Sequence, residues 1–173
     1  MNEKFKEIKP SLIKDNTFKL IGEDWMLITA GKIDKFNMMT ASWGGFGILW
    51  SKEVCFCFIR PTRYTYTFIE KESYFTICFF DEKYRDALNF CGTKSGRDVD
   101  KMSGAGLTPV KSSSGSVYFD EARMVIECKK IYFQDIEPKN FLDAKIENNY
   151  PKKDYHRMYI GEIMSVRSMH KVF

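Results

Sequence analysis

The sequence lacks any long hydrophobic run. No apolar stretch approaches the ~20 residues that a membrane-spanning helix needs, and the opening segment, Met1–Asp15, is polar and has no apolar centre of the kind found in signal peptides. We therefore expect a protein that is not secreted and has no membrane partner.

Cysteine occurs in an odd number and in no metal-binding spacing. The five cysteines include no Cys-x-x-Cys pair, and none stands at a zinc spacing from either of the two histidines. Unpaired thiols are typical of a reducing compartment. The sequence therefore predicts a cytoplasmic protein with buried thiols and without a bound metal.

The signatures of two large enzyme classes are also missing. The motif Gly-x-x-x-x-Gly-Lys-Ser/Thr does not occur, which disfavours a nucleoside triphosphate hydrolase. Neither histidine has a nucleophile motif beside it, so hydrolysis by a Ser-His-Asp or Cys-His arrangement is a weak hypothesis. The net charge is only +4, which suits phosphorylated small molecules and not a nucleic-acid partner.

The pattern of short apolar runs indicates the fold class. The chain shows no internal repeat and no alternation of strands with long amphipathic helices, which disfavours a parallel sheet. Apolar runs bounded by Gly, Pro and polar residues predict a mainly β chain with short helices, closed or partly closed into an antiparallel barrel. We expect an N-terminal arm over residues 1–20 and a single domain over residues 21–173. The predicted strands are Trp25–Thr29, Val54–Ile59, Tyr74–Phe80, Val117–Phe119, Met124–Phe133 and Met158–Val166; the predicted helices are Thr65–Lys71, Asp81–Phe90 with Asp81 as N-cap and Gly92 as stop, and Arg97–Ser103; Lys111–Ser116 is predicted to be a surface turn.

Aromatic residues make up 16% of the chain, an excess that strands explain in part. In one predicted strand, Phe56 and Phe58 share a face, while Cys55 and Cys57 lie on the other and pack against a sheet. We expect the phenylalanines of the strands to fill a small barrel. This set comprises Phe56, Phe58, Phe75 and Phe79.

The segment Asn37–Gly47 combines small residues with aromatic ones. Small residues let the backbone approach a flat ligand, so amides between Thr40 and Trp43 could bond the polar edge of a heterocycle while Met39 and Trp43 cover its faces. The alternative is a glycine-rich hairpin or bulge with a packed tryptophan.

Two further segments suit an anion. Arg60–Thr65 lies where a strand ends and a helix begins, and its two arginines and two threonines would bind a phosphate monoester; the alternative is a solvated basic strand end. In Thr93–Lys101, residues Ser95, Gly96 and Arg97 could form a second anion-binding loop. 

The segment Asp154–Ile163 contains His156, and a lone histidine is more often structural than functional. His170 is expected to be exposed. Because Trp43, Phe46 and Tyr64 lie within the segments described above, we assign them to a binding site.

Taken in order, these segments resemble the flavin reductase-like family of FMN-binding split barrels, near its flavoredoxin-type members. The resemblance extends from about Trp25 to Val166. Its motifs are Asn37–Trp43, Arg60-Pro61-x-Arg63-x-Thr65, Cys91-Gly92-x-x-Ser95-Gly96-Arg97-Asp98-x-Asp100-Lys101 and His156-x-x-x-x-Gly161-x-Ile163.

The resemblance implies a six-stranded antiparallel split barrel, usually a homodimer, with FMN at the subunit interface. It also implies positions for the cofactor contacts. Met39, Thr40, Ala41, Ser42 and Trp43 would hold the isoalloxazine and ribityl side, Arg60, Thr62, Arg63 and Thr65 the phosphate side, and Ser95, Gly96 and Lys101 would close the site, with Asn37 and Cys91 as further contacts.

The implied function is that of an FMN-dependent oxidoreductase, which takes a hydride from NADH or NADPH and passes electrons to an acceptor such as a redox protein. In related reductases the histidine of the His-x-x-x-x-Gly pattern lies near the nicotinamide, which makes His156 the candidate. Here Lys153-Asp154-Tyr155 precedes His156, where reductases often have Gly-Asp directly before the histidine. The alternatives are an FMN-binding electron-transfer protein without efficient NAD(P)H oxidation and a structural barrel without flavin.

Overall fold

The computed structural model describes residues 4–169, and His170 lies outside them. Within this range the chain forms ten strands and four α-helices. The strands are β1 (Lys6–Ile8), β2 (Met26–Lys32), β3 (Lys35–Ala41), β4 (Gly44–Leu49), β5 (Lys52–Ile59), β6 (Tyr74–Phe79), β7 (Pro109–Lys111), β8 (Val117–Phe119), β9 (Met124–Asp135) and β10 (Arg157–Ser168); the helices are α1 (Thr17–Gly22), α2 (Tyr64–Ile69), α3 (Arg85–Thr93) and α4 (Lys101–Ala105).

Eight strands form one antiparallel sheet. Its order is β3-β2-β6-β9-β10-β5-β4, and β1 pairs with the C-terminal part of β10. The predicted mainly β, antiparallel class with short helices is confirmed. Four strands, β1, β3, β4 and β7, are present beyond the six predicted from the apolar runs. The segment Asn37–Gly47 supplies the end of β3 and most of β4, and β7 pairs with β8 in a separate two-stranded sheet.

Strand β5 shows which side of the sheet faces the core. Cys55, Cys57 and Ile59 are fully buried in it, as predicted for the cysteines. Phe56 and Phe58 are half-buried on the opposite face, so their assignment to the barrel interior is wrong. Both faces of this strand are apolar, and a period of two cannot show which of them is inside.

The predicted helices exist, but their ends differ. Glu82–Tyr84 is a 3₁₀ turn, α3 begins at Arg85, and Asp81 makes no capping hydrogen bond. Gly92 lies within α3, which ends one residue later. Helix α4 begins at Lys101, because Asp100 is its N-cap and accepts hydrogen bonds from the amides of Met102 and Ser103.

The N-terminal region is attached to the barrel. Strand β1 extends the sheet at β10, and α1 runs across residue 20, the predicted end of the arm. Leu20 and Ile21 of this helix are buried in the core. Asn16 caps the helix by accepting hydrogen bonds from two backbone amides.

The serine-rich turn after β7 is not a simple surface turn. Ser112 and Ser116 are buried. The carboxylate of Glu127, only 3% exposed, accepts hydrogen bonds from the Ser112 hydroxyl and the Ser114 amide. A buried carboxylate needs such donors, and the turn folds inward to supply them.

Strand β10 lies between β9 and β5, and at Gly161 it packs so closely on the core that no space is left for a side chain. Gly161 pairs with Cys55 on β5 and with Lys130 on β9, directly after a shift in register. A Cβ atom on Gly161 would lie 2.7 Å from Cζ of Phe75 and 2.8 Å from Cβ of Cys128. Only glycine fits here without displacing the core.

We expect Gly161→Ala to lower the free energy of unfolding by about 1–3 kcal/mol, because the added methyl group overpacks the barrel. Urea denaturation measures the change. The matched control is Gly22→Ala in α1, where nothing lies within 4 Å of the added Cβ and where alanine is the better helix former. Equal unfolding midpoints for Gly161→Ala and the wild type would contradict the close packing.

Candidate functional site

Two adjoining pockets lie where β3 and β5 meet the start of α2 and the α3–α4 connection. The first, the polar pocket, has a volume of about 130 Å³, and the second, the aromatic pocket, about 250 Å³. Arg63 lines both. The polar pocket is further lined by Asn37, Thr62, Tyr64, Thr65, Thr93, Lys94, Ser95, Gly96 and Lys101, and the aromatic pocket by Met39, Thr40, Ala41, Ser42, Trp43, Phe58, Arg60 and His156.

The polar pocket is built from two connected loops. The turn after β5 carries Thr62 and Arg63, and Arg63 immediately precedes α2. Arg97, on the loop after α3, donates a hydrogen bond to the carbonyl of Thr62 at 3.0 Å, and its guanidinium lies 4.8 Å from the ring centroid of Tyr64. These contacts hold the two loops together around the pocket.

Asn37 forms the floor of this pocket. Its Nδ2 donates to Oγ1 of Thr65 at 2.7 Å, so the hydroxyl proton of Thr65 remains available for another acceptor. Gly96 packs so tightly that a Cβ there would overlap Oδ1 of Asn37 and come within 3.2 Å of Tyr64. The loop can therefore lie against β3 only with glycine at this position.

Lys101 is the most unusual group in the site. It is only 5% exposed, and its Nζ donates to the carbonyls of Met38 and Cys91, both at 2.8 Å. Burial, together with the neighbouring Arg63, lowers the pKa of Lys101 to about 8. Within residues 4–169, no carboxylate forms a salt bridge with Lys101 or Arg63. A buried charge needs compensation, and in this part of the chain no carboxylate supplies it to Lys101 or Arg63.

One wall of the aromatic pocket is formed by the end of β3 and by Trp43. Along β3, Met39 is buried, and the hydroxyl of Thr40 donates to the carbonyl of Leu88 at 2.6 Å, which fixes the strand against α3. Trp43 is 43% exposed, so it is not the packed tryptophan of the alternative interpretation. Its ring centroid lies 4.9 Å from that of His156. Such walls suit a planar heterocycle.

Arg60 lines the aromatic pocket, whereas Thr62 and Thr65, which the sequence groups with it, line the polar pocket. Its Nη1 bonds Oδ1 of Asp154 at 2.7 Å, and its Nη2 donates to the carbonyl of Asn149 at 2.8 Å. The guanidinium also lies 5.0 Å from the ring centroid of Tyr150. These partners belong to the β9–β10 connection, which sequence reasoning did not link to the end of β5.

His156 is 8% exposed, and its Nδ1 lies 3.0 Å from the hydroxyl of Tyr150. Burial, reinforced by the charge of Arg60, lowers the pKa of His156 to about 4. The imidazole is therefore neutral at physiological pH. It can donate a hydrogen bond to a ligand, but it does not carry a positive charge there.

Most of the residues predicted for the site lie together in the two pockets, and Cys91 is an exception. Its side chain is buried behind Lys101, and burial raises the pKa of its thiol to about 11; only its carbonyl faces the cations. Phe46 packs on Phe79 and not at the site. Phe58 also lines the aromatic pocket, whereas the alternating pattern of its strand predicts it in the barrel core.

The described residues contain no group of three or more metal-ligating side chains. None of the helices in this part of the chain is long and apolar enough to cross a membrane.

Comparison with known proteins gives one family match. The model of the flavin reductase like domain matches residues 19–171, which is most of the chain. No curated protein matches the chain at a significant level.

Solved structures with the same fold include three informative examples. An FMN-binding domain of a flavin reductases-like enzyme from Shewanella baltica has a TM-score of 0.69 at 17% identity, covering 95% of this chain and 76% of that chain. Flavoredoxin of Desulfovibrio vulgaris has a TM-score of 0.66 at 27% identity, covering 93% and 76%. An NADH:FAD oxidoreductase from Streptomyces globisporus has a TM-score of 0.65 at 13% identity, covering 84% and 75%.

Proposed function

This chain belongs to the flavin reductase-like domain family, and from that premise we propose that it is an FMN-binding oxidoreductase. In this proposal NADH or NADPH is the electron donor, and a further molecule, such as a redox protein, is the acceptor. When bound, FMN supplies a ring that accepts a hydride and passes electrons on, while the protein binds and orients it.

The observation that carries the proposal is the uncompensated pair of cations in the polar pocket. Lys101 and Arg63 lie side by side, one buried and one half-buried, without a carboxylate partner among the described residues. A phosphate monoester carries the charge that would balance them, and charge-assisted hydrogen bonds to it are strong. The pocket volume of about 130 Å³ suits a group of that size.

The neighbouring polar groups fit a phosphate as well. The side-chain amide of Asn37 donates a hydrogen bond to Oγ1 of Thr65. The Thr65 hydroxyl can therefore donate its own proton to a phosphate oxygen. Ser95 and Thr62 add hydroxyls in the same wall. Arg97 contributes indirectly, because it holds the loops around the pocket.

The aromatic pocket would hold the ring. Arg63 lines both pockets, so a phosphate in the polar pocket lies directly beside the space for the ring. The backbone of Thr40–Trp43 and the side chains of Met39 and Trp43 would orient it. Preorganised donors in such a wall stabilise negative charge that develops on a bound ring.

We further propose that the protein is a homodimer. The outer face of β5, β9 and β10 is apolar: Phe58 pairs with Met158, and Phe56 and Tyr132 both pair with Ile160. Trp50, 58% exposed, lies against Tyr132. Because Phe58 belongs both to this face and to the aromatic pocket, a second copy seated here would border the flavin site.

A flavoredoxin-like electron-transfer protein is the second candidate function. Flavoredoxin of Desulfovibrio vulgaris is 27% identical to this chain, whereas the Streptomyces globisporus NADH:FAD oxidoreductase is 13% identical. In this candidate FMN binds in the same pockets, but nicotinamide nucleotides do not reduce it at a useful rate.

We expect Lys101→Met to weaken FMN binding at least about tenfold at pH 7, since a charge-assisted contact contributes about 1.5–3 kcal/mol. In the wild type the affinity should be highest near pH 7, because below about pH 6 the phosphate monoester takes up a proton and loses a negative charge. Above pH 8 the affinity should fall about tenfold per pH unit, because free Lys101, with its pKa of about 8, loses its proton. Titration followed by flavin fluorescence measures both effects. Lys111→Met, at an exposed lysine, is the control; equal affinities for the two variants would refute the phosphate assignment.

A second prediction separates the two candidate functions. If the chain is a reductase, anaerobic mixing of the FMN-loaded protein with NADH or NADPH bleaches the visible flavin band within seconds, and His156→Ala slows this step at least about tenfold. Stopped-flow absorbance measures the rate. Bleaching by dithionite but by neither nucleotide would identify the electron-transfer protein instead.

The proposed dimer predicts a mass of twice 20.3 kDa for the wild type in solution. Trp50→Glu should give a monomer, because it places a charge in the apolar face. Ile33→Glu, in the β2–β3 turn and 40% exposed, should remain dimeric. Size-exclusion chromatography with light scattering measures the mass, and a monomeric wild type would contradict the proposal.

A further inference from the structure

The β9–β10 connection places a buried tyrosine directly behind the histidine of the aromatic pocket. Tyr150 is 3% exposed and does not line either pocket. Its hydroxyl lies 3.0 Å from Nδ1 of His156, which does line the aromatic pocket. Since Tyr150 occupies Nδ1, the imidazole can present only Nε2 to a ligand.

We propose that Tyr150 is a positioning residue, which holds His156 as the neutral tautomer with its proton on Nε2, so that this N–H donates to a carbonyl oxygen of the bound ring. The acceptor is a flavin carbonyl or the carboxamide of a nicotinamide, which present the same chemistry. The donor role rests on the proposed function, whereas the tautomer does not.

The direction of the tyrosine hydrogen bond follows from the partners available. Within residues 4–169, Nδ1 of His156 is the hydrogen-bond acceptor that the structure gives for the phenol proton of Tyr150. A buried hydroxyl proton needs an acceptor, so Tyr150 donates to Nδ1 and the proton of the neutral imidazole is on Nε2.

Both members of the pair are uncharged. Burial lowers the pKa of His156 to about 4, with a further contribution from Arg60. Burial raises the pKa of Tyr150, and Asp154 raises it further. A proton-bearing phenol beside a neutral imidazole is the combination that the tautomer requires.

Contacts on several sides keep Tyr150 in place. Arg60 lies over its ring and is itself held by Asp154 at 2.7 Å. Phe141 stacks on Tyr150 at 6.1 Å between ring centroids, and the ring of Tyr155 lies at 4.9 Å. A donor fixed in this way is preorganised for its acceptor and does not have to be oriented when the ligand binds.

The tautomer is tested by long-range ¹H–¹⁵N correlation spectra of the full chain. The chain has two histidines, so a His170→Gln background leaves His156 as the only imidazole. We expect a single form protonated on Nε2, and a mixture of the two tautomers in Tyr150→Phe. Tyr155→Phe is the matched control, because the Tyr155 hydroxyl bonds Glu147 and not the imidazole. A wild-type signal protonated on Nδ1, or an unchanged signal in Tyr150→Phe, would overturn the proposal. Because the spectra need no flavin, failure of FMN binding leaves this test intact.

The donor role is tested on the FMN-loaded protein. His156→Gln places an amide N–H₂ near the Nε2 position, whereas His156→Ala removes the donor. We expect Tyr150→Phe to bind either FMN or the nicotinamide nucleotide about two- to tenfold more weakly, which is the range for a weakened hydrogen bond. His156→Gln should retain more of this affinity than His156→Ala. An increase in the FMN dissociation constant identifies a flavin carbonyl as the acceptor. An increase confined to the KM of NADH or NADPH identifies the nicotinamide carboxamide. Equal losses in His156→Gln and His156→Ala would refute the donor.

Discussion

The buried ammonium group of Lys101 determines how the pieces around the polar pocket fit together. It donates to a carbonyl on β3 and to another on α3, and it lies itself at the start of α4. One side chain thus connects two consecutive helices with a strand that lies 63 residues earlier in the sequence. Burying a cation is costly, and the two carbonyls compensate it only in part. The residual charge, shared with Arg63, is the physical basis of the anion site that we propose at this end of the barrel.

The register of the sheet brings the second half of the site to the same place. Arg157 at the start of β10 pairs with Ile59 at the end of β5. The residues just beyond that pair, His156 and Arg60, therefore emerge side by side at the mouth of the aromatic pocket. Within β10, Gly161 leaves the space that the side chains of Phe75 and Cys128 fill. The close packing of the strand therefore requires glycine at a position four residues after Arg157.

Sequence patterns predict this site better than they predict the boundaries of its elements. Small residues, arginines and threonines in order along the chain indicate a ligand that is flat at one end and anionic at the other, and the structure does place those segments together. The sequence predicts a helix from Arg97, whereas α4 begins at Lys101, whose side chain bonds carbonyls on β3 and α3. Likewise, the place of Arg60 depends on Asp154, 94 residues away. Only the folded sheet brings such partners together.

The charges in the two pockets give a bound ligand its direction. In the aromatic pocket, Arg60 is balanced by Asp154 and His156 is neutral. Among residues 4–169, neither Lys101 nor Arg63 forms a salt bridge with a carboxylate; Lys101 lines the polar pocket, and Arg63 lines both pockets. A ligand with an uncharged ring and a charged tail would therefore be favoured with its tail in the polar pocket, since the reverse orientation would leave the buried Lys101 without an anionic partner. The ion pair of Arg60 with Asp154 would favour the same orientation, because it neutralises a positive charge that could otherwise attract the tail.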